Sequence, residues 1–337
     1  MKDKQVNRRQ FIQDSALVAA GLVVGVGAGC NNANMPGGGK VDTSKILNYN
    51  PGMEYRRLGK TNFMVSAVGL GGHSGAKPEA RKEIMKVFLD KGFNFIDSTG
   101  LGELRRDIKA LGNQRDRAYL ALSDTGREPR NENFRTCTKL MGTLDKALSK
   151  AKLEYTDLWR ITVYEPGGRH SFNTSHEIIK ALDKAKKQGK ARSGGIASHD
   201  RVWFKFMIEY FPELDVTLFP FTTMSKAAPK DSLFKALKDC DVGAFGIKPF
   251  AARSLFSSDS KKNDEMARLA IRYILHTNTV IPIPGISKPE EMENVALAIK
   301  ERRELDTKEM AVLEDASKKT LASLPEQYQW LKNWQYV

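Results

Sequence analysis

Lys91-Gly92-Phe93-Asn94-Phe95-Ile96-Asp97-Ser98-Thr99-Gly100 decides how the fold is read. Its apolar run stops abruptly at a carboxylate and gives way to small residues, the pattern of a buried strand that ends at Asp97. In a parallel α/β barrel the residue that ends a strand lies at the mouth where chemistry is done, so Asp97 is the first candidate for function. On either side, strand and helix patterns alternate. Residues 54–61 and 64–71 read as a short hairpin running into a first buried strand. Strands at 93–97, 118–122, 158–163, 193–198, 216–219, 243–247 and 280–284 follow. Helical periods separate and follow them at 78–90, 104–111, 133–150, 175–188, 201–210, 231–240, 264–275 and 289–302. Eight strand-then-helix units with right-handed crossovers close into an α/β fold, a (β/α)8 TIM barrel. A helix at 307–318 and an aromatic tail, Tyr328 to Val337, fall outside the eightfold pattern. Trp330 and Trp334 are four apart and on a helix would share a face, packing on the barrel or closing over its mouth.

The 337 residues suffice for one large α/β domain, and 41% apolar content excludes a mostly disordered chain. Lys and Arg total 54 against 40 Asp and Glu, a net charge of +14. No dense basic block interleaved with aromatics accompanies that excess, so a diffusely basic surface is preferred over a nucleic-acid partner. Cys30, Cys137 and Cys240 are far apart, which argues against zinc and iron–sulfur sites. For Cys137 and Cys240, buried free thiols are preferred over a disulfide.

Residues 1–30 read as an export signal. Asn7-Arg8-Arg9-Gln10-Phe11-Ile12 is followed by a Gly/Ala-rich apolar run to Gly29, too short for a comfortable membrane span. The motif resembles the twin-arginine signal, which implies the twin-arginine export machinery as a partner and a periplasmic or membrane-anchored location. Gly27-Ala28-Gly29-Cys30 resembles the end of a lipoprotein signal, which makes Cys30 a candidate for a lipid and the chain's one link to a membrane. Residues 31–52 read as a flexible linker, 53–305 as the barrel and 306–337 as a C-terminal extension.

From about Met53 to about Ile299 the chain resembles the aldo/keto reductase family. The resemblance is carried by Tyr55-Arg56-Arg57-Leu58-Gly59-Lys60-Thr61, Gly92-Phe93-Asn94-Phe95-Ile96-Asp97, Gly195-Ile196-Ala197-Ser198 and Ile281-Pro282-Ile283-Pro284-Gly285. It implies hydride transfer between a nicotinamide cofactor, usually NADPH, and a carbonyl or sugar-like small molecule. The family's acid is a Tyr whose pKa is lowered by a Lys, itself paired with an Asp, while a His orients the substrate. Of these four only the Asp carries over, as Asp97. The Tyr position is Gly102, the Lys position falls at Ser123 or Asp124, and the His position is Thr162.

A buried Asp97 needs a cation, since an unpaired carboxylate in a barrel is costly. Strand alternation points Arg160 inward with Thr162, and Lys248 ends the seventh barrel strand, so either can be the partner. Tyr164 and Glu165, His199 and His73 are candidates for a replacement acid or base; Tyr164 and His199 join Asp97 as the expected catalytic group. The resemblance places Ser198 against the nicotinamide. Gly285, Ser287 and Lys288 precede a helix N-terminus suited to phosphate, and Asn294 with Glu293 resembles the pair that holds adenine. Lys248 joins that cofactor set. The expected function is an exported NADP(H)-linked oxidoreductase with a degenerate catalytic set, and the alternative is a non-catalytic barrel that binds a ligand or partner.

Overall fold

A computed structural model of the chain describes residues 42–163 and 170–337. Seven parallel strands form one sheet: β3 (Phe95–Ser98), β4 (Tyr119–Leu122), β5 (Thr156–Thr162), β6 (Ala191–Ala197), β7 (Val216–Pro220), β8 (Gly243–Ile247) and β9 (Ile281–Pro282). The eighth staves are residues 67–71, too short to pair as a regular strand. Leu70 N–H donates to Phe95 O at 2.8 Å on one side, and Gly71 N–H donates to Pro284 O at 2.8 Å on the other. The sheet therefore closes on itself. Gly71 is required at this seam, because a Cβ there would meet Ile283 O at 2.3 Å.

Helices cover the outside in the expected alternation: α1 (Pro78–Asp90), α2 (Leu101–Leu111), α3 (Cys137–Ala151), α4 (Phe172–Lys187), α5 (Arg201–Tyr210), α6 (Leu233–Asp239), α7 (Ser260–His276), α8 (Pro289–Lys300) and α9 (Thr307–Ser323). Most begin on a side-chain cap; Thr136, Ser171, Asp200, Ser232 and Asp306 each accept a backbone N–H of the first turn. The apolar stripes of these helices pack on the outward residues of the strands, such as Ile96, Leu120, Trp159, Ile161 and Ile196.

The inward residues form a second core. Phe95 stacks on Phe245 across the barrel at 4.1 Å between centroids, with Tyr119, Leu158 and Val216 in the same cluster. Beneath them the N-terminal hairpin, β1 (Tyr55–Arg57) and β2 (Met64–Ser66), inserts Leu58, Phe63 and Val65 as a plug. The lower end is sealed by apolar side chains, and the inward positions above the aromatic layer turn polar.

Two sequence expectations change here. The linker was expected to reach Gly52, yet Ile46 is buried and Asn48 Nδ2 donates to Leu89 O and Phe93 O, so the chain already packs on the barrel at 46. The tail is a 3₁₀ helix over Glu326–Trp334, whose three-residue turn brings positions i and i+3 into line, not i and i+4. Trp330 and Trp334 accordingly diverge. Trp334 is buried against Phe219, with parallel rings 5.6 Å apart, while Trp330 stands at the mouth. Cys137 and Cys240 are free thiols. The signal, residues 31–41 of the linker, and Tyr164 with Glu165 lie outside the described residues.

Candidate active site

The polar upper end of the barrel opens into a cavity of about 610 Å³. Asp97, the second inward position of its strand after Phe95, sits on the floor. Arg160 grips it with two parallel bonds, Nε to Oδ1 at 2.6 Å and Nη2 to Oδ2 at 2.9 Å, both side chains almost wholly buried. The strand between them, β4, makes this reach feasible: the residue registered beside Asp97 is Ala121, whose side chain is a single methyl. Of the two partners expected for Asp97, the structure selects Arg160.

The third guanidinium nitrogen continues the network. Arg160 Nη1 donates to Thr162 Oγ1 at 2.7 Å; Thr162 Oγ1 lies 2.9 Å from Ser123 Oγ, which donates to Glu128 Oε2 at 2.6 Å. Glu128 is fully enclosed and also accepts the backbone N–H groups of Thr162 and Asp124 at 2.8 Å each. Burial pushes its carboxyl pKa up, against those hydrogen bonds. Thus Ser123 and Thr162 form a hydroxyl relay between a guanidinium and a buried carboxylate. Sequence reasoning missed Glu128, because a lone loop Glu five residues past a strand carries no periodic signal.

The walls come from loops at the C-terminal ends of the strands. His199 lines the cavity and lies flat on Trp330, centroids 3.7 Å apart and planes 12° apart. Trp334 Nε1 donates to His199 O at 3.0 Å, so the tail holds this residue from two sides. Burial, with the charges of Lys248 and Arg130, pushes the His199 pKa down to about 2. The ring is neutral throughout the neutral range, which suits a hydrogen-bonding wall better than a proton shuttle. His73 also lines the cavity, its backbone N–H bonded to Glu103 at 3.0 Å, and burial lowers its pKa too. Lys248 follows β8 in a left-handed backbone conformation, φ 56°, with its ammonium 5.7 Å from the Trp330 ring centre.

The expected cofactor residues divide into two groups. Ser198, Lys248 and Gly285 line the cavity. Ser287, Lys288 and Asn294 stand beyond its lining, at the start of and within α8. Ser287 gives both its N–H, at 2.7 Å, and its hydroxyl, at 3.0 Å, to Glu291 Oε2. The side chain of Asn294 is tied to α7, accepting from Arg268 Nη1 at 2.7 Å and donating to Asp264 O at 2.9 Å. Glu293 is paired with Lys91 at 2.8 Å.

Comparison with known proteins bears on this geometry. The sequence profile of the aldo/keto reductase family matches residues 67–263 and 250–318. L-galactose dehydrogenase of Arabidopsis thaliana is 26% identical over 295 residues, covering 75% of this chain and 90% of the plant protein. Among solved structures, an aldo-keto reductase of Bacillus halodurans in its holo form superimposes with a TM-score of 0.64 at 20% identity, over 82% of this chain and 99% of that one. An aldo/keto reductase from Klebsiella pneumoniae in complex with NADP and acetate gives a TM-score of 0.60 at 17% identity, over 78% of this chain and 94% of that one.

Proposed function

This chain belongs to the aldo/keto reductase family, and from that premise we propose that it transfers hydride between NADP(H) and a carbonyl or sugar-like substrate with a replaced catalytic set. The observation that carries the proposal is the Asp97–Arg160 pair on the floor of the cavity. In the family an Asp steadies a cation that in turn activates the acid; here Asp97 steadies Arg160, which donates to Thr162 Oγ1. The sugar-like class draws on the likeness to L-galactose dehydrogenase.

The residues fit a nicotinamide dinucleotide at its reactive end. Ser198 is buried at the cavity wall with its Oγ accepting Asp200 N–H at 3.0 Å, which leaves its own O–H to donate. NADP(H) supplies or accepts the hydride when bound. Ser198, Lys248 and Gly285 would hold its reactive half, and Ser287, Lys288 and Asn294 its phosphate and adenine half. At the latter end an anion must displace Glu291, which already occupies the Ser287 donors.

The chain's own groups then do the following. Arg160 polarises an oxygen placed at Thr162, and the Thr162–Ser123 hydroxyls connect that oxygen to Glu128. Neutral His199 orients the substrate from the wall, and Tyr164, beyond the described residues, remains a proposed acid. The proposal includes export of the folded protein by the twin-arginine route, with Cys30 as the residue to carry a lipid.

A second reading, a ligand-binding barrel without catalysis, is favoured by Gly102, Ser123 or Asp124, and Thr162 at the positions that the resemblance gives to the family's Tyr, Lys and His. Fluorescence titration of the full chain with NADPH and NADH, after assay for copurified nucleotide, separates the two. Saturable micromolar binding supports the oxidoreductase; no binding of either nucleotide leaves the ligand-binding barrel.

A further inference from the structure

We propose that the outer face of α4 and α5 is the interface of a homodimer, in which α4 of one copy packs on α5 of the other about a two-fold axis parallel to the helices. This face lies on the flank of the barrel and none of its residues lines the cavity, so the inference stands apart from the hydride-transfer reading.

α5 is apolar on more sides than the barrel covers. Its charged residues, Arg201, Lys205 and Glu209, fall four apart on one stripe, and every other position is apolar or aromatic. Phe204, Met207 and Ile208 face the core and are buried. Val202, Phe206 and Tyr210, again four apart, form a separate stripe, in which Val202 is 73% exposed and Tyr210 53%. A helix with apolar residues around most of its girth belongs in an interior.

α4 extends the patch. Phe172, 50% exposed, meets Tyr210 edge-on with ring centres 5.2 Å apart and lies 6.0 Å from Phe206. One turn on, His176 meets Phe211 edge-on at 5.1 Å. A contiguous aromatic surface rimmed by polar residues is the composition of a protein–protein contact.

Charge names a second copy as the occupant. Beyond the rings α4 exposes Lys180, Lys184 and Lys187, whereas the end of α5 and the residues after it expose Glu209 and Glu213. The ring contacts set the start of α4 level with the end of α5. A two-fold axis along the helices therefore seats Lys180 and Lys184 opposite Glu209 and Glu213 of the second copy, in an isologous contact. The in-chain pairs Lys180–Glu177, at 3.6 Å, and Lys205–Glu209, at 2.6 Å, lie at the surface and are weak competitors. The chain's own apolar run, which ends at Gly29, falls short of the patch. The described chain enters at Asp42, beside the end of α1 and across the barrel from α5. Residues 30–41 span at most about 40 Å when extended, against a half girth of roughly 75 Å for a globule of this size.

Sedimentation velocity of the full chain from about 1 to about 100 µM tests this. A species of twice the 37.7 kDa chain mass is expected. Phe172→Asp places a carboxylate at the first position of α4, which a helix tolerates, and is expected to weaken the dimer about tenfold. Lys180→Glu and Glu213→Lys are each expected to weaken it severalfold and together to recover most of the loss. Should Phe172→Asp fold poorly by thermal melting, these two exposed reversals carry the test. A monomer at every concentration, association untouched by a folded Phe172→Asp, or reversals whose losses simply add overturns the proposal. Growth beyond two copies overturns it too, because an isologous contact closes at two.

Discussion

Arg160 and Asp97 form a two-bond ion pair across a strand whose intervening residue is Ala121. Removing one member leaves the other charge buried without its partner. Asp97→Leu or Arg160→Met is expected to cost about 3–5 kcal/mol, whereas the two substitutions combined should recover a large part of that loss. Urea denaturation of the four proteins as a double-mutant cycle measures it; additive losses would show that the pair is not coupled.

His199 sets a pH dependence. Its folded pKa of about 2 lies below the ordinary 6.5, so the neutral ring is the form the fold favours. The contribution is fully present above pH 6.5 and drains as pH falls from there toward the folded value, at a limit of about 1.4 kcal/mol per pH unit. His199→Gln should flatten the stability profile between pH 6.5 and 4.5. Thermal melts across that range suffice, and parallel profiles for the two proteins would refute the assignment.

Trp334 anchors the tail by stacking on Phe219 and bonding His199 O. Trp334→Ala should cost about 3–5 kcal/mol, in the range for a buried aromatic, and loosen Trp330 with it. Trp330→Ala should cost far less because the ring is only half-buried. Comparing urea midpoints of the two variants checks the order.

Glu291 competes with any anion for the Ser287 donors at the start of α8. Glu291→Gln should therefore tighten NADPH binding about three- to fivefold, the equivalent of about 1 kcal/mol for one charge at a helix N-terminus. Unchanged NADPH affinity would place the phosphate elsewhere.

Much of the fold was legible because the strand and helix periods are strong. Helix Pro78–Asp90, helix Arg201–Tyr210 and strand Gly243–Ile247 appear with the boundaries that their patterns suggest. Alternation along β5 also placed Arg160 and Thr162 inside the barrel. What escaped the sequence lacked periodicity. Glu128 and Arg130 reach the site through an irregular loop, and the route of that loop depends on tertiary packing. The two tryptophans were assigned to one face because an α period was assumed where the chain adopts a 3₁₀ turn. Similarly, α8 offered a helix N-terminus suited to phosphate, but only side-chain geometry reveals that its own Glu291 has taken the place.

The bond from Trp334 to His199 joins residues 135 positions apart, and Trp330 comes after every strand of the barrel in the chain. In synthesis from the N-terminus, every barrel strand is therefore made before the tail that supplies this contact. During synthesis the barrel strands are thus available before the cavity can be finished, and for that interval the floor at Asp97 and Arg160 stands open on the side that Trp330 later covers. Order of arrival thus becomes a property of the site: a ligand captured before the tail docks would be enclosed by the last segment of the chain to settle.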